Sequence, residues 1–94
     1  TGFSGRDSTP EAVKPLFDKD IDGFGEIFRY LSHGEIGSST IQSRALAGVA
    51  NDTTIFCIPG STGACKLAWN EIIKEQLDSS HQPCNFVGAF GSKD

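Results

Sequence analysis

The chain of 94 residues contains no methionine, a single tryptophan, a single tyrosine and only eight lysine and arginine residues. No stretch approaches the ~18 consecutive apolar residues of a membrane-spanning helix, so no membrane association is expected. The visible N-terminus lacks the basic and apolar regions of a signal peptide, which favours a cytoplasmic protein. Because the few basic residues are scattered and the net charge is −4, no nucleic-acid partner is expected either.

The start of the chain also lacks an initiator methionine. Thr1-Gly2 is a dipeptide typical of the middle of a loop. We therefore expect the sequence to be a portion of a longer protein.

The cysteines are too few and too widely spaced for a disulfide framework or a zinc site. Cys57, Cys65 and Cys84 are odd in number and contain no Cys-x-x-Cys pair. This pattern predicts a reducing compartment. Cys57 lies in an apolar run and is expected to pack in the core, whereas the roles of the other two remain open.

Apolar residues at helical spacing predict three helices, over residues 9–17, 22–34 and 62–77. Thr9 is expected to cap the first helix and Gly34 to end the second. The second helix is expected to bury Phe24, Ile27, Phe28 and Leu31. The apolar face predicted for the third consists of Cys65, Ala68, Trp69, Ile72, Ile73 and Gln76 or Leu77.

Residues 53–58 form an uninterrupted β-branched and aromatic run, which is typical of a strand buried on both faces of a parallel sheet. Residues 41–50 allow a short helix before a strand at 47–50, and Asn51-Asp52 predicts a tight turn. The tail, residues 79–94, is expected to pack as coil through Phe86, Val87 and Phe90. A strand followed by a helix, with further helices before it, predicts a three-layer α/β/α architecture.

The segment Thr1-Gly2-Phe3-Ser4-Gly5-Arg6-Asp7 is the first candidate for ligand binding. Glycines allow backbone amides to approach an anion, and the following helix start favours negative charge. Asp7 beside such a site is a candidate to hold Mg²⁺, which takes carboxylate and phosphate oxygens together, or to orient a hydroxyl. From composition alone, the more common case is that Asp7 only satisfies loop amides or the helix start.

Two further segments lie at positions suited to ligands. Pro59-Gly60-Ser61-Thr62 follows the predicted strand, and Ser61 or Thr62 is expected to cap the next helix or to contact a ligand oxygen. Arg44, next to Ser43, suits phosphate recognition, although a solvated surface arginine is the more common case. The lone His33 and His81 are interpreted as structural or exposed.

Four stretches in this order resemble the MoaB/Mog family of molybdenum cofactor biosynthesis proteins. They are TGFSGRDSTPEA (residues 1–12), GFGEIFRYLS (23–32), SRALAGVAN (43–51) and IPGSTGACKLAW (58–69). The resemblance extends along almost the whole chain. It implies a doubly wound, mostly parallel α/β/α domain of which residues 1–94 form the C-terminal portion.

The resemblance also implies an activity: transfer of AMP from Mg-ATP to molybdopterin, with release of pyrophosphate. Asp7 matches the family's catalytic and Mg²⁺-binding aspartate. Residues matching positions that contact the pterin or the nucleotide are Thr1, Gly2, Ser32, Ser43, Pro59, Gly60 and Ser61. Family members assemble as homotrimers or homohexamers, which implies self-association here.

Two alternatives accompany this interpretation. Active relatives often continue the Pro-Gly turn with Asn-Pro, whereas this chain has Ser61-Thr62. This difference favours, as an alternative, a non-catalytic paralogue that binds molybdopterin or a nucleotide. A third reading gives the chain mainly a structural role, with its apolar tail forming an oligomer interface.

Overall fold

The computed structural model describes residues 1–91. The α-helices are α1 (Thr9–Val13), α2 (Asp22–Ile36), α3 (Thr62–Ala68), α4 (Lys74–Gln76) and α5 (Phe86–Gly91). The strands are β1 (Lys19–Asp20), β2 (Leu46–Ala50) and β3 (Thr53–Cys57). Turns of 3₁₀ helix cover Lys14–Leu16 and Gly37–Gln42, and a π-helical turn at Trp69–Ile73 joins α3 to α4. The prediction of an α/β fold is therefore confirmed.

The three strands form one sheet in the order β1-β2-β3, and both pairings are antiparallel. Asn51 and Asp52 join β2 to β3 with φ angles of 52° and 62°, as in the two-residue turns of β-hairpins. So short a turn joins only antiparallel neighbours, since a parallel pair needs a long crossover. Residues 53–58 were predicted as a strand typical of a parallel sheet; among the strands described in residues 1–91 its neighbour β2 is antiparallel, and β1 was not predicted.

The core lies between one face of the hairpin and the two long helical segments. Phe24 is 6.1 Å from Phe28 and 5.0 Å from Phe56, measured between ring centroids. The other buried members of this cluster are Ala45, Ala47, Ala68, Ile72 and Ile73. Burial of these apolar side chains holds α2 and α3 on the hairpin and is the main stabilising contribution of the fold.

Some residues predicted to face the core are exposed. Ile27 of α2 is 41% exposed and Trp69 is 51% exposed, and Cys65 and Leu77 are also on the surface. In the third helix the line that faces the core runs through Ala68 and Ile72, four residues apart. Ile73 is buried beside this line, whereas about half of the Trp69 side chain is exposed at the start of the π-helical turn.

The helix ends differ from the predictions by a few residues. α1 gives way to a 3₁₀ turn at Lys14, where Pro15 removes a backbone donor. Ser8, not Thr9, occupies its N-cap position, without a side-chain cap. α2 continues past Gly34 to Ile36 and ends at Gly37, whose φ of 65° favours glycine.

The outer face of the hairpin is only partly covered. The ring of Phe17 lies against Gly48, where a Cβ atom would come within 2.2 Å of the ring. Cys57 is half-buried, not buried as predicted, because the helices pack on the opposite face. That partial burial raises the pKa of its thiol.

The tail is more ordered than the coil predicted for it. Asn85 accepts a hydrogen bond from Gly88 N at 2.7 Å, and this contact caps α5. Phe86 and Val87 lie in α5; the side chain of Phe90 is outside the part described. Between residues 1 and 91, no helix has the length and apolar character required to cross a membrane.

Candidate functional site

The open end of the β2–β3 hairpin is where the predicted segments meet. Leu46 pairs with Cys57 at the end opposite the turn, so the residues before Leu46 and after Cys57 leave the sheet side by side. The backbone N–H of Arg44 donates to Thr1 O at 2.7 Å, which attaches residues 1–7 to the same end. The fold therefore places the N-terminal loop against Ser43-Arg44, and Pro59–Ser61 follow the neighbouring strand at the same end of the hairpin.

The N-terminal loop folds around the carboxylate of Asp7. Oδ2 of Asp7 accepts hydrogen bonds from Ser4 N at 2.9 Å and Ser4 Oγ at 2.7 Å, and Asp7 N donates to Ser4 O at 3.0 Å. Gly2 allows this arrangement, because a Cβ atom there would lie 2.7 Å from Asp7 Oδ2. The contact with a loop amide, weighed as the alternative role for Asp7, is present, but it engages only one carboxylate oxygen.

The hydrogen bonds from Ser4 also set the charge state of Asp7. The Ser4 hydroxyl and then the Ser4 backbone N–H lower the pKa of the Asp7 carboxyl from its ordinary value, and the charge of Arg44 adds to this effect. Asp7 is therefore a carboxylate at neutral pH, the form that binds cations.

The oxygen donors of the loop fit a hard cation such as Mg²⁺. Within residues 1–91, neither Oδ1 of Asp7 nor Oγ1 of Thr1 has a hydrogen-bond partner, and Thr1 Oγ1 is buried. Both are oxygen ligands of the kind that Mg²⁺ prefers, alongside water and phosphate. The described residues include no group of three or more metal-binding side chains, so the loop could hold Mg²⁺ only together with a ligand's own oxygens.

Arg44 binds the N-terminal loop, contrary to its interpretation as a solvated surface residue. Its Nε donates to Gly2 O at 2.7 Å, its Nη2 donates to Asp7 O at 2.6 Å, and its Nη1 pairs with Glu11. The guanidinium also lies 5.9 Å from the centre of the Phe3 ring. Each guanidinium nitrogen of Arg44 thus already has a partner, so no bound phosphate is needed to satisfy the side chain.

Two of the three serines predicted to bind ligand are connected to α2: Ser32 lies within it, and Ser43 contacts its Arg29. Arg29 donates from Nη1 to Ala45 O at 2.9 Å and to Ser43 O at 3.3 Å. The hydroxyl of Ser43 accepts a hydrogen bond from Ala45 N at 3.3 Å. Ser32 is 6% exposed and lies three residues after Arg29, on the same side of α2.

The turn after β3 is positioned by the start of α3. Ser61 Oγ accepts a hydrogen bond from Ala64 N at 3.2 Å, so Ser61 caps the helix as expected. Pro59 is half-buried and its carbonyl accepts a contact from Cys65 Sγ at 3.7 Å, whereas Gly60 is exposed. The turn is thus a fixed rim whose outer side faces solvent.

A surface cavity of about 360 Å³ lies against the loop. Its lining residues are Phe3, Ser4, Gly5, Asp7, Ser8, Glu11 and Arg44. A second cavity, of about 330 Å³, lies between α2 and the helical segment that contains residues 71–76. Its walls are mostly apolar and include Phe24 and Ile72. We place the candidate site at the loop because its polar groups converge there.

Sequence reasoning missed two contributors to the loop and misread a third. Ser4 was not singled out, although a serine three residues before an aspartate is a known local hydrogen-bonding pattern. Arg29 was not singled out either. Arg44 was considered, but its backbone partners are 42 and 37 residues away and no local pattern reveals them.

Residues 1–79 match the model of a family described as a probable molybdopterin binding domain. Among curated proteins, the chain is 60% identical to molybdenum cofactor biosynthesis protein B of Escherichia coli (strain K12) over 86 residues, or 92% of this chain and 51% of that protein. The protein of the same name from Staphylococcus aureus (strain MRSA252) is 58% identical over 79 residues, covering 83% of this chain and 47% of its own length. The chain spans about half the length of these relatives.

Solved structures agree with these matches. A molybdenum cofactor biosynthesis protein B superposes with a TM-score of 0.78 at 50% identity, over 82% of this chain and 48% of its own. The tungsten cofactor synthesizing protein MoaB from Pyrococcus furiosus gives a TM-score of 0.74 at 44% identity, over 81% and 49%. These similarities confirm the predicted fold class and the resemblance on which it rested.

Proposed function

Because the chain belongs to the MoCF biosynthesis family, described as a probable molybdopterin binding domain, we propose that it contributes a ligand-binding loop to an enzyme of molybdenum cofactor biosynthesis. The proposed reaction is adenylylation of molybdopterin. The terminal phosphate oxygen of molybdopterin attacks the α-phosphorus of ATP, and the bond to the β-phosphate breaks to release pyrophosphate. The observation that carries this proposal is the ionised Asp7, with one carboxylate oxygen fixed by Ser4 and the other available.

The residues of the site have distinct roles in this proposal. Asp7 and Thr1 would hold Mg²⁺ together with phosphate oxygens, and Mg²⁺ would neutralise the charge of the reacting phosphates. Gly2 keeps the loop open to the Asp7 carboxylate. Such a reaction depends on positioning and charge neutralisation more than on a strong base, so the site does not require a histidine or cysteine nucleophile.

The remaining predicted residues would contact the pterin or the nucleotide. Ser43 precedes β2 and is bonded to Arg29 of α2, Ser32 is buried within α2, and Pro59, Gly60 and Ser61 follow β3. The hydroxyl of Ser61 already accepts the capping bond from Ala64, but its own proton remains available for a ligand oxygen.

The test is formation of AMP-molybdopterin from Mg-ATP and molybdopterin by the natural protein that contains this chain. Asp7→Asn should reduce the rate by at least about 100-fold, because the cation would lose its anionic ligand. The matched control is Asp52→Asn, the same chemical change in the hairpin turn, where the left-handed backbone tolerates asparagine. Equal rates in the two variants would refute the role of Asp7.

A non-catalytic binding paralogue is the second candidate. It is favoured by the departure at Ser61-Thr62 and by the absence, in residues 1–91, of a group of three or more metal-binding side chains. It predicts that the protein binds molybdopterin or Mg-ATP and forms no AMP-molybdopterin. Calorimetric titration alongside the product assay distinguishes the two candidates.

We also propose a cytoplasmic location and self-association. The described cysteines are all free, as in proteins of a reducing compartment. Tyr30 is 75% exposed and Ile41 is 78% exposed, and exposed apolar side chains of this size favour association as the homotrimer or homohexamer implied by the resemblance. A monomeric sedimentation coefficient would contradict self-association.

A further inference from the structure

Arg44 holds the N-terminal loop at both of its ends. The carbonyl groups that it binds belong to Gly2, near the start of the loop, and Asp7, at its end. Its backbone N–H binds a third carbonyl, that of Thr1, at 2.7 Å. Because one rigid guanidinium bridges Gly2 and Asp7, its planar geometry sets the distance between the two ends of the loop.

Contacts within the loop do not provide this link to the rest of the fold. The Ser4–Asp7 hydrogen bonds span only three residues and close a local turn. By themselves they do not place this turn relative to the rest of the fold. The bonds of Arg44 connect residues 37 and 42 positions apart, and so they place the turn relative to the hairpin.

Arg44 is itself held by α2. The carbonyls on either side of it, those of Ser43 and Ala45, both accept hydrogen bonds from Arg29 Nη1. Gly25 makes room for this contact, since a Cβ atom there would lie 2.6 Å from both Ala45 O and Arg29 Nη2. A continuous series of contacts thus runs from the core helix through Arg29 and Arg44 to Asp7.

We propose that Arg44 is the positioning residue of the Asp7 loop: its guanidinium holds the loop in the geometry that binds the nucleotide, without contacting the nucleotide itself. This inference rests on the proposed function, because it names what gives that loop its affinity. It assigns the effect to the forked geometry of the guanidinium and not to its positive charge. The ion pair with Glu11, whose side chain is 64% exposed, is correspondingly of minor importance.

The experiment compares Arg44→Lys with Glu11→Gln in the natural protein that contains this chain. Lysine keeps the charge but has one nitrogen, which cannot bridge two carbonyls as a fork does. Glu11→Gln removes the ion pair and leaves the bonds to Gly2 and Asp7 intact. The measurements are amide hydrogen exchange at Ser4 and Asp7 without ligand, the Asp7 carboxyl pKa by NMR, and the dissociation constant for Mg-ATP.

In Arg44→Lys, amide hydrogen exchange at Ser4 and Asp7 should be at least about 10-fold faster, and the dissociation constant for Mg-ATP should be at least about 10-fold higher. In Glu11→Gln, both quantities should stay within about 3-fold of those of the unchanged protein. The pKa of Asp7 should rise in Arg44→Lys although the charge is retained. Unchanged loop exchange in Arg44→Lys overturns the inference, and so does an equal loss of affinity in Glu11→Gln. Failure of the unchanged protein to bind Mg-ATP overturns the proposed function, whatever the exchange rates show.

A measurement on the unchanged protein covers the case in which Arg44→Lys does not fold. The Arg44 Nε–H, bonded to Gly2 O, should exchange slowly both without and with Mg-ATP. Fast exchange that becomes slow only with Mg-ATP would show that the ligand orders Arg44, and would overturn its assignment as a positioning residue.

Discussion

Three glycines of α2 allow a direct test of how closely this helix approaches the candidate site. Gly25 is buried, and a Cβ atom there would lie 2.6 Å from the carbonyl oxygen of Ala45 and 2.6 Å from Arg29 Nη2. Gly23 and Gly34 have no atom within 4 Å of the corresponding position. Alanine should therefore be unfavourable at position 25 and favourable at positions 23 and 34.

The magnitude for Gly25→Ala follows from opposing contributions. Overpacking against a backbone carbonyl costs about 1–3 kcal/mol, and loss of the Arg29–Ala45 hydrogen bond costs about 1.5–3 kcal/mol. The gain in helix propensity on replacing glycine offsets about 0.8–1.0 kcal/mol. We expect a net destabilisation of about 2–5 kcal/mol, whereas Gly34→Ala should stabilise by about 0.4–1 kcal/mol.

Urea unfolding of the natural protein, followed by circular dichroism, measures both changes in free energy. Gly34→Ala is the matched control, since it makes the same substitution in the same helix without the close approach. If Gly25→Ala is as stable as Gly34→Ala, the contact of α2 with Ala45 is not as described. The path from Arg29 to Arg44 would then lose its support.

Further predictions concern the helix cap and the charge of Asp7. Ser61→Ala should lower the free energy of unfolding by about 0.5–2 kcal/mol, because Ala64 N loses its hydrogen-bond acceptor. Ser61→Gly should lower it by only a few tenths of a kcal/mol. Equal effects of the two variants in urea unfolding would contradict the capping role of Ser61. Ser4→Ala should raise the pKa of Asp7 towards its ordinary value of 3.8, which a carboxyl NMR titration would measure. Since the folded-state pKa is depressed, the stabilisation of the loop is present above pH 3.8 and is lost as the pH falls through the lower folded-state pKa. Ser4→Ala should reduce this pH dependence, and the Ser4 backbone N–H and Arg44 account for what is left.

Features that depend on neighbours in the chain were predictable from the amino-acid sequence. The spacing of Phe24 and Phe28 predicted a helix that buries both rings, and both are buried. Asn51-Asp52 predicted the hairpin turn, and Ser61 was one of the two residues expected to cap the third helix. Each of these features is set by interactions over at most a few residues, which residue types and their spacing describe directly.

The direction of strand pairing shows where two local signals conflicted. The uninterrupted apolar run at residues 53–58 favoured a parallel strand, whereas the tight turn before it required an antiparallel neighbour. The turn decided the outcome for β2 and β3, because chain geometry is a stricter constraint than a pattern of burial.

Other features were decided only by the tertiary structure. Arg44 reaches Gly2 and Asp7 across 42 and 37 residues, and Arg29 reaches Ala45 across 16. The sequence by itself determined the three main helical segments and the turn between β2 and β3, and it identified Asp7 as the carboxylate of the loop. What holds that carboxylate in place depends on how α2, the hairpin and the loop pack together, because hydrogen bonds between distant residues form only once packing has brought their atoms within reach.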